Sequence, residues 1–442
     1  MENWDTSKVT DMSGWFNGMM GSWLPDLSKW NTSNVTKMDY MFANLQGCLP
    51  TGISEWDTSK VESMEGIFQN CQSKFFAVST WDTKNVKNMA HAFRYCGRLR
   101  YLHLADWNTS NVTTMRGIFE GCMLLEQIGC ENWDVSKVKD MTCAFSACQK
   151  LENLDFTKWE LKSLVSASYM FRYCIYLETI DFGLSKAEKL EDITSMFASC
   201  FRLQSIKWNF CGKEIFTMSY CFDKCYRLAN IDLSCFNPGR LDDLAHTFAY
   251  CRSLTSLDVA HFDTSRVINM EETFAECERL LYVDVSKWNT RNVTTFAGMF
   301  KYCFNLVKVD VSNFCTRRCT SFSQMFMECH SLAEIDVSNF DTSKSESFSF
   351  MFTECRCLTS LDLSNFVLGE GASCFNMCLG CNSLTDIKGP KIAYGGALGY
   401  TTTENCHSLT RRGHWLMGDD DMEDEDSWGP GAQDEYELNG WN

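Results

Sequence analysis

Residues 251–274 read CRSLTSLDVAHFDTSRVINMEETF. Three patterns follow one another in this stretch. Leu254, Leu257 and Val259 end in the alternation of a short strand, so Asp258 between the last two points away from the core. Phe262 closes the strand, and Asp263, Thr264 and Ser265 are residue types that cap a helix N-terminus. Val267, Met270, Phe274 and the following Cys277 are spaced 3, 4 and 3 apart, which predicts one apolar face of a helical turn.

The same text recurs along the chain. Phe274 has counterparts at 16, 42, 68, 93, 119, 145, 171, 197, 222, 248, 300, 326 and 352, every step being 25 or 26 residues. Cys378 and Thr403 continue the register after the Phe is lost. Three residues after each anchor comes Cys, from Cys71 and Cys96 through to Cys381 and Cys406, with Met19 and Leu45 in its place in the first two units. Internal repetition of this kind overrides the expectation of two or three globular domains for 442 residues. A strand of three or four residues pairs with nothing local, and one helical turn lies below the nucleation threshold. Stacking resolves both, because strands of successive coils form a parallel sheet and their apolar faces meet inside. The expected fold is an α/β repeat solenoid of about sixteen coils, each a short parallel strand plus a short helix or 3₁₀ turn. At ~4.8 Å per strand it would be on the order of 75 Å long.

The pattern MFxxCxxLxxLDLSxFDTSxVxxM is carried by Met325-Phe326 to Phe340-Asp341-Thr342-Ser343 and by Met351-Phe352 to Asp362-Leu363-Ser364-Asn365-Phe366. It resembles the BspA-like leucine-rich repeats of bacterial surface proteins, the 26-residue class also found in mycoplasma lipoprotein-associated proteins. The resemblance runs to about residue 410. It implies a right-handed leucine-rich-repeat-like stack and, since many members resemble adhesins, a surface that binds protein or glycan partners. A signal sequence, an N-terminal cap and a wall anchor, which the surface-exposed members carry, are not seen here. Cell-surface or secreted placement therefore follows from the resemblance, and cytoplasmic placement from Met1 taken as the start.

Three columns of the repeat are candidates for function. The Cys column reads as a buried ladder of small, free thiols, with CxxC-type pairs too few for a zinc site. Trp4, Trp30, Trp56, Trp81, Trp107, Trp133 and Trp159, followed by Phe236, Phe262, Trp288, Phe314, Phe340 and Phe366, read as a core corner whose indole N–H groups reach backbone carbonyls. Asp232, Asp258, Asp284, Asp310, Asp336 and Asp362 occupy one outward strand position in consecutive coils, with Asp155 and Asp181 earlier. Like charges stacked at strand spacing need compensation. Hydrogen bonds to neighbouring Ser or backbone groups would supply it; the sharper reading is an acidic strip for a basic partner segment or loosely held cations.

Net charge is −17; residues 418–442 hold ten acids and no base, which leaves −7 on the body. That argues against nucleic acid as partner. No apolar run reaches the ~18–20 residues of a membrane span. GxSxG, GxxxxGK[ST] and GxGxxG are absent, and the seven His share no column at ligand spacing. The Asn-x-Ser/Thr triplets at Asn31, Asn34, Asn108, Asn111 and Asn292 fall out of the repeat text. The coils at 182–222 lose the TS cap, residues 369–412 read as a degenerate C-terminal cap on a solenoid spanning 1–412, and 413–442 read as an acidic, disordered tail. The chain is thus expected to be a non-catalytic binding protein without cofactor or metal, with adhesion as one role. The alternative is a structural scaffold that docks or self-associates through its uncapped N-terminal coil and acidic tail.

Overall fold

The computed structural model describes residues 2–20, 25–369 and 371–389, with the backbone of 391–392. Within them the chain winds as a right-handed solenoid of stacked coils joined by parallel pairing. The strands are short: β1 (Tyr101–His103), β2 (Gln127–Gly129), β3 (Asn153–Asp155), β4 (Thr179–Asp181), β5 (Ser205–Lys207), β6 (Ser256–Leu257), β7 (Tyr282–Val283), β8 (Ser360–Asp362), β9 (Val367–Leu368), β10 (Asp386–Lys388) and β11 (Lys391–Ile392). Among the described residues every strand pair is parallel and links residues one repeat apart, as in Leu257 opposite Val283. A second ladder is continuous. Single-residue parallel bridges run from Asp11 through Lys37, Ser63 and Asn88 to Ser347 and Ser373, touching fifteen residues in all. The sixteenth register position, Thr403, lies outside the described residues, so a count of sixteen coils is not supported.

The expected helical turn is not there. Among the described residues the only helical piece is a 3₁₀ turn at Ile53–Glu55. The segment around each anchor Phe is instead a run of β-turns. Met41 N–H donates to Met38 O and Ala43 N–H to Tyr40 O, at 3.3 and 3.1 Å. The N–H groups of Met38, Tyr40, Phe42 and Asn44 leave the coil altogether, donating to Ser63, Glu65, Ile67 and Gln69 at 2.7–3.1 Å. The same four bonds join 115–121 to 140–146 and 348–354 to 373–379. The cause is visible in φ. The residues two before and two after each anchor are left-handed: Tyr40 (55°) and Asn44 (56°), His91 (59°) and Tyr95 (58°), His246 (52°) and Tyr250 (60°). An L-residue in that region interrupts a right-handed helix, so the 3-4-3 spacing buries the expected face on a different backbone.

The core runs the length of the coil. From Phe16 to Phe352 thirteen consecutive ring pairs lie 5.3–5.8 Å apart. Beside them stand the cysteines, buried from Cys71 to Cys381. Each thiol from Cys96 onward donates to a Phe carbonyl of the preceding coil, as Cys122 does to Phe93 at 3.0 Å and Cys251 to Phe222 at 3.2 Å. Among the described residues no cysteine is in a disulfide. The Trp column is buried from Trp30 to Trp159, and its indoles bond back one coil, Trp107 to Val78 O and Trp288 to Val259 O, each at 2.9 Å. Trp4 departs from this: it stacks on Trp30 from one side only and is 54% exposed.

The DTS text is not a helix cap. Asp263 Oδ1 accepts the Ser265 N–H at 3.0 Å, closing a local turn. The buried Thr264 hydroxyl donates to Asn289 O of the next coil at 3.3 Å and accepts the Asn289 N–H at 2.8 Å. Thr6, Thr290 and Thr342 repeat this reciprocal pair. The Asn of TSNVT also links coils: the side-chain amides of Asn34, Asn111 and Asn292 donate to carbonyls of Ser7, Lys84 and Ser265. At 182–222 the irregularity is local, with the Trp208 indole reaching forward to Asp232 O instead of back.

Candidate binding face

The strand face alternates inward Leu, Ile or Val with outward side chains, so each outward position becomes a column. The Asp column is one of them. Asp232, Asp284, Asp310, Asp336 and Asp362 each accept the N–H of the Ser two residues on, at 2.9–3.0 Å. Asp155 and Asp181 do the same with Thr157 and Gly183. Asp258 has Ala260 in that place and faces His261 instead, at 3.7 Å. The carboxylate thus closes the turn that leaves each strand, which accounts for the residue type without any ligand. Hydrogen bonds from Ser234, Ser286 and Ser312, side chain first and then backbone, hold the Asp232, Asp284 and Asp310 carboxyls below the usual carboxylate range.

Compensation of the stacked charge is uneven. Lys207 meets Asp181 at 3.4 Å and Lys388 meets Asp362 at 2.8 Å. Among the described residues Asp284, Asp310 and Asp336 form no ion pair; Lys287 favours the ionised Asp284, and Asp310 opposes it less strongly. Lys308, which favours the ionised Asp310, turns to Glu334 at 3.5 Å.

Among the described residues the strand ladder is interrupted here, as it also is between β2 and β3 and between β5 and β6. Tyr282 still pairs with Lys308. Beyond it, among the described residues, no backbone hydrogen bond joins 308–310 to 333–336. Pairing resumes between β8 and β10. A recess of about 440 Å³ lies there, lined by Lys308, Val309, Asp310, Val311, Ser312, Glu334, Ile335, Asp336 and Ser360. Its rim breaks the in–out alternation. Leu281, Tyr282 and Val307 point outward and are 53, 52 and 53% exposed, where the same columns hold Glu152, Asn153, Glu178 and Thr179 in earlier coils. Of the six Asp expected to form a strip, Asp310 and Asp336 line this recess; the other four continue along the face. Sequence reasoning passed over Leu281, Tyr282 and Val307, although the unbroken apolar run Leu280-Leu281-Tyr282-Val283 marks them.

A second surface carries the left-handed columns. Arg94 lies over the Tyr95 ring and pairs with Glu120, Arg172 lies over Tyr173, and Arg252 lies over Tyr226 and pairs with Glu276. Tyr220 stacks on His246 at 4.4 Å, and His246 meets Glu272 at 3.5 Å. Burial, foremost, holds His246 and His91 toward the neutral form. These rings and cations spend their faces on one another and act as a cover for the coil turns. Among the described residues no group of three or more His, Cys, Asp or Glu is placed to hold a metal ion, and no helix is long and apolar enough to cross a membrane.

Similar folds are found among solved structures. A leucine-rich repeat protein from Bacteroides ovatus is 19% identical over 75% of this chain and 78% of its own, with a TM-score of 0.48. One from Eubacterium ventriosum is 14% identical over 74% and 85%, with a TM-score of 0.34. An internalin from Listeria monocytogenes is 13% identical over 77% and 86%, with a TM-score of 0.23. A search of the curated proteins finds no match. One family model, by contrast, matches four times in overlapping succession, over residues 1–101, 88–208, 191–303 and 280–388. That coverage takes in nearly all of the repeat, and the chain belongs to the family described as "Mycoplasma protein of unknown function, DUF285".

Proposed function

We propose that the chain is a non-catalytic, protein-binding repeat scaffold whose strand face is the working surface. One observation carries this reading: the repeat leaves the inward columns nearly invariant in type, while the outward strand columns change from coil to coil and hold the apolar patch of Leu281, Tyr282 and Val307. An exposed apolar patch of this kind marks interaction surfaces on soluble proteins. Adhesion to a host or matrix protein is the role that the resemblance to BspA-like proteins suggests. Photo-crosslinking amino acids at Tyr101, Ser205 and Tyr282 on the strand face, and at Thr36, Thr113 and Thr294 on a corner, test it. The expectation is saturable capture of a protein, competed by unlabelled chain, from strand-face positions only. Equal capture from both sets, or none from the strand face, removes the reading.

A second reading is favoured by the exposed Trp4 and Trp15 of the first coil, which cluster on the buried Trp30 of the next with centroids 5.4–6.3 Å apart. In it the chain is an assembly scaffold that joins other subunits, or itself, through that end. Sedimentation of the wild type against Trp4→Ser/Trp15→Ser decides it, a concentration-dependent species lost in the variant being the supporting result.

A further inference from the structure

We infer that the recess between residues 308–310 and 333–336 is a docking site for an extended peptide segment of another protein that alternates basic and apolar side chains. The inference rests on the strand-face reading above and names the occupant of one place on it. Three independent features coincide there. The carboxylates of Asp310, Glu334 and Asp336 gather with a single cation, Lys308, which Glu334 already partly neutralises. Val307 and Tyr282, each about half exposed, sit on the rim beside them. The parallel ladder is open on this face here, as it is between β2 and β3 and between β5 and β6, while the opposite ladder through Thr295, Ser321 and Ser347 stays closed, so it is the charge and the apolar rim that single out this opening.

Each feature selects part of the ligand. The carboxylates of Asp310, Glu334 and Asp336 call for Lys or Arg. The apolar rim calls for a Val, Ile or Leu flanking that cation. Backbone N–H and C=O groups not engaged across the opening can bond an extended main chain, which is how peptides add to sheet edges. An extended segment presents alternate side chains to opposite sides, so a basic–apolar alternation puts cations over Asp310 and Asp336 and apolar groups over Val307. A free metal ion does not use the apolar rim, and a glycan does not use the net charge.

Fluorescence anisotropy with labelled hexapeptides tests this, using (Lys-Val)₃, (Lys-Ser)₃ and (Glu-Val)₃. The wild-type chain is compared with Glu334→Gln/Asp336→Asn, with Val307→Ser and with the distant control Asp155→Asn/Asp232→Asn. All changed side chains are at the surface, and Asn keeps the oxygen that accepts the turn N–H. The expected result is (Lys-Val)₃ bound at least about tenfold more tightly than either other peptide. The two recess variants should each lose about tenfold and the control should stay within about twofold. Equal binding of (Lys-Val)₃ and (Lys-Ser)₃, equal loss in recess and control variants, or no binding at all overturns it. Saturable strand-face crosslinks away from Tyr282 in the experiment above, together with failure here, would remove this site and leave the scaffold reading standing.

Discussion

At the residue scale the repeat is a set of small obligations met once per coil. The buried Thr264 hydroxyl both donates to and accepts from Asn289 of the next coil. Replacing it with the isosteric Val strands both backbone groups, and Thr264→Val should destabilise by about 1–3 kcal/mol in chemical denaturation. The thiols are as specific. Burial pushes Cys174 up to about 12 and raises Cys200, Cys251 and Cys329 as well. A thiol reagent at pH 8 should therefore reach the exposed Cys48, Cys235 and Cys357 and, more slowly, Cys143, Cys211 and Cys315 in the native chain, and the ladder only in denaturant. Because these folded pKa values lie above the unfolded one, the thiol contribution to stability is complete below about pH 8.5 and is lost as pH rises beyond it. The Asp turns behave in the opposite sense. Their folded pKa values are depressed, so what they contribute is present above about pH 4 and is lost as pH falls below it. Melting temperature measured at pH 7 and at pH 3 should fall, and a variant with Asp232, Asp284 and Asp310 changed to Asn should show a smaller fall. Phe, Cys and Trp columns could all be read from spacing, because burial of a periodic residue leaves its period in the text.

At the scale of one coil the text was less transparent. A 3-4-3 apolar spacing fits a helical face, and nothing in the inward residues distinguishes a helix from a run of turns that buries the same positions. The distinguishing residues point outward. Gly14, Gly66, Gly117 and Gly298 share the column two before the anchor, and Gly18, Asn44, Asn70, Gly121 and Gly380 the column two after it. Gly and Asn tolerate the left-handed region, but Tyr, His, Glu and Lys elsewhere in both columns hide the signal. Ala147, with φ of 58°, decides between the two backbones in solution. In a helix, Ala→Gly costs roughly 0.5–1 kcal/mol; here Ala147→Gly removes a left-handed penalty of about 1–2 kcal/mol. Denaturation midpoints should therefore rise, and a fall would restore the helix. Two of the glycines, Gly66 and Gly121, cannot be exchanged in return. A Cβ on Gly121 would stand 2.1 Å from the Tyr95 ring, and one on Gly66 2.3 Å from Tyr40. The open ladder at 308–336 was hidden for another reason: a missing hydrogen bond leaves no mark on residue type, and only the apolar run 280–283 hinted at it.

At the scale of the molecule, each coil is stabilised by its two neighbours and by little else. A cavity in the middle should therefore divide the chain. Phe222→Ala removes a ring stacked on Phe197 and Phe248, at about 3–5 kcal/mol, and should turn one calorimetric transition into two, whereas Phe16→Ala at the first coil should mainly fray that end. The turn ladder also has a direction. In every coil the N–H groups beside the anchor Phe face the following coil and the carbonyls face the preceding one, from Met12 to Glu354. Those bonds run one way along the stack, while the N–H groups just before them, such as Thr36 donating to Thr10 O and Glu62 to Thr36 O, run the other way. Any copy that extends the stack in register through this ladder meets it nose to tail. An assembly that continued this ladder in register from coil to coil would therefore grow as a polar fibre or close as a ring.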